Sequence, residues 1–245
     1  MKKLIAVLMT VCMLLACASA LAEKISWGTN ASFPPYEYYE NGEIVGIDAE
    51  IAAAIAEKLG MELEKVDMEF KAIIPAVTEH KVDFGMAGMT VTEERLQSVN
   101  FSETYATGIQ AIIVLEGSEI TSVDDLYAEG ATWKVGVQDS TTGDIYCTGD
   151  FGEENVLKYK VGADAVAALL ADKVDCVIID NEPAKAYVAA NEGLVLLDTQ
   201  YAVEDYAIAV ALDNEELLAK INAALKELIE DGTVAAIIEK YIPAE

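Results

Sequence analysis

Histidine is almost absent from this 245-residue chain, with His80 the only one. Any Ser-His-Asp or Cys-His set would have to run through that residue. It sits in TEHKVD, at the end of a predicted helix, where a cationic group simply complements the helix dipole. Basic residues are scarce as well. There are 16 Lys and Arg against 43 Asp and Glu, for a net charge of −27. Nucleic-acid binding needs a basic footprint, so that class is excluded, and adhesion to anionic lipid headgroups is disfavoured. The charge acts mainly through solubility and self-repulsion, because salt screens exposed charges over about 8 Å. Cysteine is limited to four, at 12, 17, 147 and 176. Two cysteines without a companion histidine make no metal site, and no cofactor-binding motif appears. Beyond the N-terminus no apolar run approaches 18 residues, so nothing else is predicted to cross a membrane.

The N-terminus is the exception. Lys2 and Lys3 precede an apolar run, Leu4 to Ala16, and Ala20-Leu21-Ala22 gives the small-x-small pattern of a signal-peptidase site. Residues 1–22 therefore read as a signal peptide and Glu23 as the mature start. Leu14-Leu15-Ala16-Cys17 offers a second reading, a lipoprotein box with a lipid anchor on Cys17, although Leu15 stands where a small residue is usual. On either reading the chain is exported. After the soluble cut, Cys147 and Cys176 remain. They form either a disulfide or, for Cys176 in VDCVIID, a small buried position in a strand.

What the chain does have is an alternation of strands and helices, 53% hydrophobic residues and 24% charged. Lys24–Thr29 reads as a strand, followed by the stiff aromatic loop Phe33-Pro34-Pro35-Tyr36-Glu37-Tyr38. Asn41-Gly42 marks a hairpin. Asp48 is placed as the cap of a helix with Ile51, Ile55 and Leu59 on one face and Gly60 at its end. Strands are expected at Met61–Val66, Phe84–Ala87, Gly108–Leu115, Trp133–Gln138, Asp175–Ile179, Leu194–Leu197 and Tyr206–Ala211. Helices are expected after Phe70, after Thr92, after Thr141, over Asp164–Ala171, after Asp180, and over Asn214–Glu230 and Thr233–Tyr241. The pattern implies two α/β lobes, residues 23–107 plus 206–245 and residues 108–205. Short crossings near Thr104–Ile109 and Ala202–Tyr206 would join them.

The stretch Asp83 to Tyr105 is the most informative. A short strand ends at the bend Gly88, Thr90 follows, and Arg95 lies in the next turn. Open α/β sheets bind ligands at such strand ends, and an arginine there grips a carboxylate with two parallel hydrogen bonds. The alternative is a surface pair with Glu94. Asp139-Ser140-Thr141-Thr142-Gly143 offers a helix N-terminus to an anion, or is only a turn. Asp180, closing a strand, serves an ammonium group or only caps a helix. Phe33 and Phe70 are walls or core. Jointly, a carboxylate grip at Arg95 and Thr141 and an ammonium grip at Gly88, Thr90 and Asp180 describe a site for a free α-amino acid.

In TNASFPPYEY, VGIDAEIAAAIAEKLG, EFKAIIPAVTEHKVDFGMAGMTVTEERLQSVNFSETY, VGVQDSTTGD, VDCVIIDNEPA and LKELIEDGTVAAIIEKY, the chain resembles the extracellular solute-binding proteins of polar amino-acid ABC transporters. The resemblance covers the whole mature chain. It implies a two-lobed type II periplasmic-binding-protein fold that closes on its ligand like a Venus flytrap. It also implies no cofactor, an ABC permease as partner, and a monomer. Arg95 would bind the ligand carboxylate, with backbone N–H groups at Thr90 and Thr141. Gly88, Thr90 and Asp180 would hold the ammonium, Phe33 and Phe70 would sandwich the side chain, and Asn30 and Gln138 would read its end. Glutamine, arginine or lysine is the expected ligand. The chain departs from the family at Ser140, where glycine is usual, and at Asn30, which is often aspartate in relatives that take basic or amide side chains. Two alternatives stand beside this reading. One is a prephenate or arogenate dehydratase on the same fold, with Glu37 as general acid, and the other is a ligand-presenting sensor.

Overall fold

The computed structural model describes residues 23–243, so the leader, its cleavage site and Cys17 lie outside the described residues. Two sheets organise the chain. In the first, Glu62–Asp67, Lys24–Thr29 and Phe84–Gly85 run parallel, and Ala209–Ala211 lies antiparallel between Phe84–Gly85 and Val99–Phe101. In the second, Val156–Tyr159, Val135–Gln138 and Cys176–Asp180 run parallel. The ten-residue strand Ala106–Leu115 is antiparallel to the last of these and also pairs with Leu194–Leu196 and Ala202–Tyr206.

Each sheet is covered on both faces, as a mostly parallel sheet requires. Ile47–Leu59 and the C-terminal helices Glu215–Glu230 and Thr233–Tyr241 pack on one face of the first, around Ile51, Ile55 and Trp27. Ile73–Thr78 covers the other, with Ile73, Val77 and Met89. In the second sheet Gly162–Leu170 buries Val166 and Leu169 on one side, and Cys147 and Cys176 lie in the apolar cluster on the other. Both cysteines are free and buried, so Cys176 is the small core residue.

The crossings are a paired ribbon. Ala202–Tyr206 lies antiparallel to the start of Ala106–Leu115, from Ala202 opposite Gln110 to Tyr206 opposite Ala106. The strand expected at Tyr206–Ala211 is therefore divided. Its first residue ends the ribbon in the second sheet, and Ala209–Ala211 belongs to the first.

Two other local expectations need correction. After Thr92 there is a single 3-10 turn, Arg95–Gln97, because Arg95 turns inward and is buried. Asp48 does not cap its helix, which starts at Ile47 after Gly46; it sits fully buried within the first turn. The strand Val156–Tyr159 was not anticipated. It is a four-residue edge strand with only Val156 buried, too short to give a period-2 pattern.

Candidate functional site

A cavity enclosing about 450 Å³ not filled by atoms, part of it open to solvent, lies where the carboxyl ends of parallel strands from both sheets face each other. It is lined by Asn30 beyond Lys24–Thr29, Phe70 beyond Glu62–Asp67, and Gly88, Thr90 and Arg95 beyond Phe84–Gly85. From the second sheet come Gln138 and Thr141 at the end of Val135–Gln138, and Asp180 at the end of Cys176–Asp180. Phe33 completes the set of nine residues singled out from the sequence, and all nine line this one cavity.

Arg95 is 7% exposed. One guanidinium nitrogen donates to the Thr90 carbonyl at 2.7 Å, and another crosses to the Ser140 carbonyl at 3.1 Å. No carboxylate lies within ion-pair distance of it among the described residues, so the surface pair with Glu94 is not formed. Burial pulls its pKa down, and the nearby charge that most offsets this belongs to Glu204. The guanidinium carbon lies 5.4 Å from the centroid of Phe70, in cation–π range.

The rival readings of Thr141 and Asp180 turn out to be compatible with their places in the cavity. Thr141 caps the helix Thr142–Phe151, accepting from the Asp144 N–H at 3.4 Å and donating to the Gln138 carbonyl at 2.8 Å. Asp180 caps Asn181–Ala190 through Oδ1, which accepts from the Glu182 N–H at 3.2 Å. Its Oδ2 accepts from the Ile109 N–H at 3.2 Å and from the Tyr206 hydroxyl. Burial pushes the Asp180 carboxyl up to about 7, against the pull of these donors.

Asn30 and Gln138 meet across the cavity, Gln138 Nε2 donating to Asn30 Oδ1 at 2.9 Å. Gly88 adopts φ +52°, and a Cβ there would stand 2.8 Å from the Phe33 ring. Glycine is thus required twice over, by the turn and by the aromatic wall. The Gly88 N–H donates to Asp48 Oδ2 at 2.8 Å, and the Tyr105 hydroxyl donates to the same oxygen at 2.9 Å. Asp48 therefore sets the bend.

Glu37 behaves differently from a general acid exposed to a substrate. It borders the cavity but is fully buried, and no donor from elsewhere in the described residues reaches either of its oxygens or Asp48 Oδ1. Three carboxyl oxygens of these two residues thus lie buried without a donor. Burial and the Asp48 charge hold Glu37 well above the usual carboxylate range, while burial brings Asp48 to about 6.

Sequence reading missed Gln110, Glu204 and Tyr206. Glu204 and Tyr206 are two apart on a strand, hence on one face, and both are buried. The alternation in AVEDY carried that signal, since an acid in phase with a buried tyrosine is itself placed inward.

Further contacts join residues next to the cavity's lining segments. Lys71 pairs with Asp139 at 2.9 Å, Lys160 pairs with Glu69 at 2.7 Å, and the Tyr187 hydroxyl donates to the Ser32 carbonyl at 3.4 Å.

The comparisons agree with this architecture. The family model of the bacterial extracellular solute-binding proteins, family 3, matches residues 25–244. The arginine-binding extracellular protein ArtP of Bacillus subtilis is 32% identical, with all of both chains covered. Among solved structures, the arginine-, lysine-, histidine-binding protein ArtJ of Geobacillus stearothermophilus is 33% identical with a TM-score of 0.84, covering 91% of this chain and 96% of its own. An ancestral arginine-binding protein bound to glutamine is 40% identical with a TM-score of 0.84, covering 90% and 98%. These relatives are binding proteins rather than enzymes, which sets the dehydratase alternative aside. With two lobes, a cavity at their facing strand ends and a family match over the described chain, the protein belongs to the bacterial extracellular solute-binding proteins, family 3.

Proposed function

We propose that this chain binds a free basic L-α-amino acid, arginine first, and delivers it to an ABC importer. The observation that carries the reading is the placement of opposite charges: Arg95 on the first lobe and Asp180 on the second border one cavity. The α-carboxylate would lie on Arg95 with N–H groups at Thr90 and Thr141. The α-ammonium would lie among Gly88, Thr90 and Asp180, and the side chain between Phe33 and Phe70, ending near Asn30 and Gln138. A ligand held by both lobes favours the closed arrangement through contacts that an open one lacks.

Preference for a cationic side chain is supported by the charge around the site. Arg95 is the one cationic residue among those lining the cavity. Asp180 lines it too, with Asp48 behind Gly88 and Glu204 behind Thr90, while the Glu37 carboxyl is held well above the usual carboxylate range. A ligand of net positive charge offsets that imbalance, and the relatives named above include arginine-binding proteins. Glutamine is the second reading, favoured by the neutral Asn30–Gln138 pair at the far end and by a relative that holds glutamine.

A thermal-shift screen of the mature protein against the twenty amino acids tests this. Ligands that bind only the native state raise its melting temperature. Arginine should give the largest rise, and lysine and glutamine smaller ones. No rise with any of them would refute the reading. We also assign the two lobes to residues 23–107 plus 206–245 and 108–205, acting as a monomer, with the paired crossings as the hinge.

A further inference from the structure

The carboxylate of Glu204 is 4% exposed and lies on the returning crossing strand, opposite Gly108. Its Oε2 receives two donors, the Thr90 hydroxyl at 3.1 Å and the Gln110 side-chain amide at 3.0 Å. Thr90 belongs to the first lobe and Gln110 to the second, and both line the cavity. Oε1 is buried with no donor among the described residues. Two residues along the same strand face, Tyr206 donates to Asp180. One strand thus touches two of the groups that would surround the ligand ammonium.

A threonine hydroxyl has one proton and two lone pairs, and its proton turns to suit its neighbours. Near an ammonium group only the lone pairs are useful. A carboxylate accepts and does not donate, so it takes the Thr90 proton and leaves Thr90 Oγ1 to accept. The same oxygen fixes the Gln110 amide with its nitrogen towards Glu204. The Gln110 Oε1 then faces the start of Thr142–Phe151, where it would lie 3.1 Å from a Cβ placed on Gly143.

We propose that Glu204 is a positioning residue for ligand recognition: by holding the Thr90 proton, it makes Thr90 a permanent acceptor for the ligand ammonium. This rests on the reading that the ammonium lies at Thr90. Glu204 itself need not touch the ligand.

The experiment is titration calorimetry of the mature protein with L-arginine and with 5-guanidinopentanoate, its des-amino analogue. Should the thermal screen select glutamine instead, that acid and its des-amino analogue replace them. Glu204→Ala should weaken arginine binding about tenfold, the scale of one hydrogen bond to a charged group, and leave the des-amino analogue nearly unchanged. Glu204→Gln keeps a carbonyl oxygen for Thr90 and should recover most of the loss. In a Thr90→Val background, Glu204→Ala should cost nothing further. Equal losses for both ligands, wild-type affinity in Glu204→Ala, or a full additional loss in the Thr90→Val background would each overturn the proposal. If Glu204→Ala does not fold, Thr90→Val decides alone, since an equal loss of both ligands there overturns it too. A wild-type protein that binds no amino acid would instead refute the function proposed above.

Discussion

Ser140 holds φ at +65°, a conformation that costs an L-residue with a Cβ about 1–2 kcal/mol. Its N–H donates to Asp144 at 2.9 Å, and its carbonyl accepts from Arg95. The strain is therefore tied to the same turn that meets the guanidinium. Ser140→Gly should raise stability by about 0.5–1 kcal/mol in urea denaturation without weakening binding. Arg95→Ala should reduce amino-acid affinity about 100-fold or more in calorimetry, since truncating one partner of a buried charge pair costs about 2–5 kcal/mol. The fold should survive, because the two observed acceptors of Arg95 are carbonyls, and near-normal affinity would remove it from the site. Arg95 and Asp180 were legible in the sequence because residue type and position at a strand end coincide. Glu204 was not, because its importance depends on donors 114 and 94 residues away.

Among the elements, the strand Glu37–Glu40 and the helix Ile47–Leu59 each contribute one buried carboxyl, Glu37 and Asp48, and the Asp48 charge helps raise Glu37. Asp48 rises from an ordinary 3.8 to about 6, and Glu37 also rises. Between about pH 4 and 6 the native state then holds more protons than the unfolded chain, so stability from this pair falls as pH increases through that window. The unliganded protein should melt at a higher temperature at pH 5 than at pH 8. Asp48→Asn should reduce that difference by on the order of 1–3 kcal/mol, leaving the part that comes from Asp180, raised to about 7. A melting temperature independent of pH over this range, or rising with it, would contradict the raised carboxyls. The helix itself was readable from Ile51, Ile55 and Gly60. The inward turn of Asp48 was not, because a first-turn acid normally serves the dipole at the surface, and only the Gly88 bend and Tyr105 explain its burial.

Over the whole molecule, Lys71–Asp139 and Lys160–Glu69 join elements that flank the two sheets. Both pairs are substantially exposed, so salt screens them. Replacing Lys71 and Lys160 together by alanine should speed ligand release modestly at low salt, as followed by stopped-flow fluorescence. The difference from wild type should vanish at high salt; a difference that persists there would show that the pairs do more than attract. Two lobes were legible as repeated strand–helix alternation. The paired geometry of the crossings was not, because strand partners about 100 residues apart leave no local pattern.

Strand order in the first sheet also fixes an order of assembly. Ala209–Ala211 lies inside that sheet, between strands made more than 100 residues earlier, and the chain of the second sheet intervenes. As the polypeptide grows, the second sheet has all its strands by Tyr206, while the first still has a gap through its middle. The N-terminal lobe is thus the last to be completed, so an emerging chain of an extracellular family cannot lock its leading end into a finished fold until it is nearly all made.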